Sequence, residues 1–102
     1  DEEEMRRIVQ ALFELEEALL NQHMSNIQDH AEMLTQEGKL LQSIQPKIAS
    51  EEEMDDYAIQ LAEYLDRKEI LIYKLQQKLG EFKNQLAKEQ RMAQRVHTLS
   101  QY

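Results

Sequence analysis

The sequence predicts an all-α fold, two long helices in an antiparallel hairpin or coiled coil that is expected to dimerise into a helical bundle. Three observations lead there. Apolar residues recur at helical spacing through two long stretches of the 102-residue chain. A single proline, Pro46, divides those stretches and leaves only a short connection. The composition, 41% hydrophobic and 31% charged with two glycines, is dominated by the good helix formers Glu, Gln, Leu, Ala and Lys.

The first helix is expected over about residues 2–44. One apolar row repeats every seven residues as Phe13, Leu20, Ile27, Leu34 and Leu41. A second group, Met5, Ile8, Val9, Leu12, Leu15 and Leu19, is dense near the start, and the row continues thinly through Met24, Ala31 and Gly38. Asp1–Glu4 place negative charge where the helix dipole favours it. Pro46 has no amide hydrogen and disfavours the α conformation at Gln45, so this helix should stop near residue 44.

The connection is expected at 45–50 and the second helix at about 51–99. Ser50 followed by Glu53 has the spacing of a capping box, in which each side chain satisfies the other residue's exposed backbone amide. Beyond it, Ala58, Leu65, Ile72, Leu79, Leu86 and Ala93 form one heptad row, and Met54, Leu61, Lys68, Leu75, Phe82, Glu89 and Val96 another. A third row of Tyr57, Tyr64 and Leu71 widens the stripe, which favours a bundle over a two-stranded coil.

A connection this short makes the helices antiparallel neighbours. Matching the rows sets Leu41 against Met54, Leu34 against Leu61, Ile27 against Lys68, Leu20 against Leu75 and Phe13 against Phe82. The expected seam inside the hairpin therefore comprises Phe13, Leu20, Ile27, Leu34, Leu41, Met54, Leu61, Leu65, Ile72, Leu75, Leu79 and Phe82. Ile8, Leu12, Leu15, Leu19, Tyr57, Tyr64 and Leu71 lie beside that seam. They are the candidate surface for self-association or for a partner, because contiguous exposed apolar patches are rare on monomers.

Composition excludes several functions. With no cysteine there is no disulfide framework or thiolate chemistry, and an intracellular setting is expected. The longest apolar run, Ile70–Tyr73, falls far short of the roughly 18 residues of a membrane span, so no membrane insertion is expected. A net charge of −8 argues against a nucleic-acid partner, since counterion release needs a basic face. The charge is uneven: residues 1–56 hold 15 acids and 4 bases (−11), and residues 57–102 hold 5 acids and 8 bases (+3). Lys74, Lys78, Lys83, Lys88, Arg91 and Arg95 form a candidate basic docking strip for an acidic partner, or else a solvated face balancing the acidic first helix.

No catalytic site, cofactor site or metal site is predicted. His23 and His30 are seven residues apart, whereas ligands on one helix need a spacing of three or four. The acidic runs at 1–4 and 51–56 lack the alternating ligands and central glycine of a calcium loop. Gly38 and Gly80 are isolated, so no phosphate-binding loop or nucleophile elbow occurs.

Several segments in order resemble the C-terminal region of the kinesin-13 family, internal-motor kinesins that depolymerise microtubules. They are Glu16-Glu17-Ala18-Leu19-Leu20 with His23, Glu37 leading into Leu40-Leu41, Gln45-Pro46, Asp55-Asp56-Tyr57, Leu61, Leu65, Lys68 and Leu75-Gln76 through Leu79 to Phe82. The resemblance spans about residues 14–83; Lys47 stands where the family pattern would have a glycine. It implies a parent that is an ATP-driven microtubule motor of the cytoplasm and cytoskeleton. It also implies that this end of the chain serves dimerisation, regulation and adaptor docking, as a homodimer or in contact with its own motor domain or with adaptor proteins. The start at Asp1 fits a fragment of such a parent. The alternative is a helical adaptor or scaffold segment unrelated to kinesins, for instance in membrane trafficking.

Overall fold

A computed structural model describes residues 1–46 and 48–100, with the backbone alone at Ser100. Lys47, where the turn departs from the family pattern, lies outside the described residues. Among those described, the fold is two α-helices, α1 (Glu2–Ile44) and α2 (Glu51–Ser100).

Both helices begin on side-chain caps. Asp1 Oδ1 accepts from the Glu3 amide at 3.0 Å, and Glu2, Glu3 and Glu4 load the first turn of α1 with negative charge. At the start of α2 the capping box is closed in both directions: the Ser50 amide donates to Glu53 Oε1 and the Glu53 amide donates to Ser50 Oγ, each at 3.1 Å. α1 ends at Ile44, with a last helical bond from the Gln45 amide to the Leu41 carbonyl at 2.9 Å. Ser43 Oγ donates back to the Leu40 carbonyl at 2.6 Å.

The chain forms two compact units, each an antiparallel pair of helix segments. The first joins residues 1–23 to the described part of 74–102. Its seam is made by Met5, Ile8, Leu12, Leu15 and Leu19 of α1 against Leu75, Phe82, Leu86 and Met92 of α2. Met92, only 7% exposed, is its one buried apolar side chain among the described residues. Gln85 Nε2 donates across the pair to the Ile8 carbonyl at 3.2 Å.

The second unit spans residues 24–73 and carries the connection. Its seam mixes apolar and polar groups. Met33 (6% exposed) and the half-buried Leu40 and Ile44 face Tyr57, Leu61, Tyr64 and Leu71. Asn26, 4% exposed, donates from Nδ2 to the Leu71 carbonyl at 2.7 Å. Tyr64 Oη donates to Gln36 Oε1 at 3.3 Å, and Lys68 Nζ meets Glu37 Oε2 at 2.8 Å. These three bridges tie α1 to α2 within this unit.

That seam differs from the one expected from the heptad rows. The row expected at the seam of α1 instead faces outward, with Phe13 62%, Leu20 57%, Ile27 58%, Leu34 62% and Leu41 45% exposed. On α2 the same holds for Met54, Leu65, Ile72 and Leu79, whereas Leu61, Leu75 and Phe82 are half-buried within the seam. Conversely Ile8, Leu12, Leu15, Leu19, Tyr57, Tyr64 and Leu71, expected as an outer surface, form the interior. The physical reason is that the buried row can close polar bridges. The row through Asn26 pairs it with a backbone carbonyl, and the bulky Tyr64 fills space while its hydroxyl finds Gln36. A seam built on Ile27, Leu34, Leu65 and Ile72 would leave Asn26, Gln36 and Tyr64 to water and bring no such specificity.

Candidate interaction surfaces

What a two-helix hairpin offers chemically is its two broad sides, and helix geometry assigns residues to them. Met33 and Leu71 point into the seam of the second unit. The next residue on each helix turns about 100° away, and because the helices run antiparallel, both turns go to the same side. Leu34 and Ile72 therefore share one side, and Glu32 and Ile70 share the other. A single hollow lined by both Glu32 and Ile70 bears this out.

The side bearing Leu34 and Ile72 is apolar. On α1, Ile27, Ala31, Leu34, Gly38 and Leu41 follow one another at alternating spacings of four and three, the knob spacing of a coiled-coil seam. Leu65 and Ile72 of α2 run beside them, 51% and 48% exposed. Small residues alternate with large ones on α1, and a Cβ added at Gly38 would meet nothing within 4 Å, so the hairpin itself does not need a glycine there. The first unit carries the same kind of stripe in Phe13, Leu20 and Leu79.

Lys74, Lys83, Lys88, Arg91 and Arg95 are exposed, whereas Lys78 is half-buried and lies 4.0 Å from Glu81. His23 is exposed, and His30 lies at the seam edge with Nε2 shielded and unbonded. Among the described residues no three His, Cys, Asp or Glu side chains are grouped to hold a metal ion, and no helix is long and apolar enough to cross a membrane. What the sequence reading missed was the seam polarity: Asn26, Gln36 and Glu37 are ordinary helix residues until their partners are known. The signal that was available is the interruption of an otherwise apolar row, Met5, Leu12, Leu19, Asn26, Met33, Leu40, by one asparagine.

The chain is 72% identical over 101 residues to the protein named Diatom spindle kinesin-1 from Cylindrotheca fusiformis, an alignment that takes in 99% of this chain. It is homologous to a segment of a kinesin. The chain spans 16% of that kinesin's length. No family model matches the sequence, and no solved structure matches it. The kinesin relationship supports the broader half of the resemblance seen in the sequence, a kinesin, without selecting the internal-motor branch.

Proposed function

We propose that this helical pair is a non-catalytic C-terminal module of a microtubule-depolymerising kinesin of the kinesin-13 type, serving dimerisation, regulation of the motor and docking of adaptors. The spindle in the relative's name suggests where such a motor would act, within the cytoplasm and on the cytoskeleton. A helical scaffold unrelated to kinesins leaves the 72% identity without an account.

The observation that carries the self-association reading is the outer apolar stripe. Ile27, Leu34, Leu41, Leu65 and Ile72 are each between 45% and 62% exposed on one side of the second unit, at coiled-coil spacing. Two such sides packed about a two-fold axis make a four-helix arrangement, the usual solution for helices with more than one apolar row. A second copy fits this side better than an arbitrary partner because the stripe already has the alternation of large and small residues that interdigitates with itself.

Light scattering coupled to size exclusion tests this from low to high micromolar concentration. The expected species has twice the 12.1 kDa of the chain, and Leu34→Glu with Ile72→Glu returns it to one copy with its helix content intact. A wild-type chain that stays at 12.1 kDa throughout refutes self-association. For the motor assignment, the full-length kinesin with and without this segment is compared for ATP-dependent shortening of stabilised microtubules. A full-length protein that never shortens them removes the kinesin-13 reading.

A further inference from the structure

On the side of the second unit opposite the apolar stripe, the furrow between α1 and α2 opens into two hollows. The larger, about 290 Å³, has Met33 and Leu71 at its floor and Asp29, Glu32, Arg67 and Ile70 around it. The smaller, about 160 Å³, lies nearer the connection between Leu40, Tyr57 and Asp56. Met33 and Leu40, one in each hollow, are seven residues apart on α1, roughly 10 Å along the helix axis. Side chains i and i+7 on one face of another helix have that same separation, the anchor spacing of helices that lie in grooves.

The charge around this furrow selects the occupant. Residues 24–73 hold 11 acids and 4 bases, a net −7 out of the −8 of the chain, which leaves the first unit at −1. Asp29, Glu32, Asp56 and Glu63 are exposed along the furrow side, and none is in an ion pair among the described residues. The bases on that side are Lys39 and Arg67, and the Arg67 guanidinium is turned over the Tyr64 ring at 5.8 Å from its centroid. An acidic helix would be repelled here. A basic one gains both the hollows and the carboxylates.

We propose that this furrow docks a basic amphipathic helix of another protein, with apolar anchors at i and i+7 seated in the two hollows and flanking lysines or arginines facing Asp29, Glu32 and Asp56. The site lies away from the apolar stripe, so self-association leaves it open and displays it once per copy. It gives chemical content to adaptor docking, yet it does not depend on the chain being part of a kinesin.

The probe is a fluorescein-labelled leucine–lysine helix of about 14 residues, four turns long, with leucines at i, i+4, i+7 and i+11; the control is the same peptide with glutamate for lysine. Fluorescence anisotropy with the 102-residue chain should show binding of the lysine peptide alone, weakening as salt is added. Asp29→Lys with Glu32→Lys should reduce that affinity at least about tenfold, a change of about 1.4 kcal/mol. Both residues are exposed, and unchanged circular dichroism checks that the fold survives. Methyl resonances of Leu40, Ile70 and Leu71 should shift on titration, while those of Leu34, Leu65 and Ile72 stay in place. Leu34→Glu, which disrupts the proposed dimer, should bind the peptide as the wild type does. Equal binding of both peptides, indifference to the charge reversal, or shifts centred on Leu34 and Ile72 would each overturn the proposal. A wild-type chain that stays at 12.1 kDa yet binds the lysine peptide counts against the self-association reading alone.

Discussion

Met33 and Leu34 are neighbours in sequence and opposites in environment, and replacing each by alanine separates the observed seam from the one that heptad matching predicts. Met33 is 6% exposed, so its truncation removes nearly a whole buried side chain. Full burial of such a side chain contributes about 1.5–3 kcal/mol, and a cavity term is added when the surroundings cannot relax. Here the hollow of about 290 Å³ beside Met33 already opens to solvent, which keeps the cavity term small. Met33→Ala should therefore cost about 2–3 kcal/mol, the low end of the range for such truncations. Leu34 is 62% exposed, leaving little more than a third of its side chain to lose, or about 0.5–1 kcal/mol. Alanine is at least as good a helix former, so the net cost in a single copy is smaller still. Urea unfolding followed by far-ultraviolet circular dichroism reads both, and a series of protein concentrations adds the decisive control. The Met33→Ala cost should be largely independent of concentration. The Leu34→Ala cost should grow with concentration, because association stabilises the folded chain by mass action. If Leu34→Ala costs as much as Met33→Ala at the lowest concentration, the outward orientation of the Phe13, Leu20, Ile27, Leu34, Leu41 row is wrong.

Three further outcomes follow from local geometry. Ser50→Ala removes one half of the closed capping box and should cost about 0.5–2 kcal/mol in chemical denaturation, with Ser50→Asp retaining most of the stability; an unchanged midpoint would mean that α2 does not rely on this cap. Gly80→Ala should stabilise by up to about 1 kcal/mol, since the glycine is helical and an added Cβ meets nothing within 4 Å; a lowered melting temperature would show that something packs there. Lys68→Met should destabilise by about 1–3 kcal/mol, because Glu37, with a side chain only 16% exposed, loses its partner at 2.8 Å. The double change Lys68→Met with Glu37→Leu should recover much of that loss, and a double variant no better than the single one would show that the pair is not coupled.

Much of the architecture can be read from the chain before any coordinates are known. Heptad spacing, the lack of helix breakers other than Pro46 and the Ser50–Glu53 box are local properties, and each acts within a few residues of itself. The helix ends at Ile44 and Glu51 lie next to those signals. The kinesin likeness was also legible, because it rests on the order of residues and not on their contacts.

The orientation of the helices about their own axes was not legible. Each helix carries two apolar heptad rows a single residue apart; on α1 both hold five apolar residues, and continuity alone ranks the uninterrupted row, Phe13 through Leu41, above the one broken by Asn26. Burial went the other way. A row's value at an interface depends on what stands opposite it, and Asn26, Gln36 and Glu37 become favourable seam residues only when the Leu71 carbonyl, Tyr64 and Lys68 come within 2.7, 3.3 and 2.8 Å of them. Those partners lie between 28 and 45 residues away in the chain. One sequence thus specifies two helices, their ends and their antiparallel pairing through interactions inside a turn or two. Which stripe they bury, and which they leave outward, is set by pairings that come into existence only when the second helix has folded back along the first.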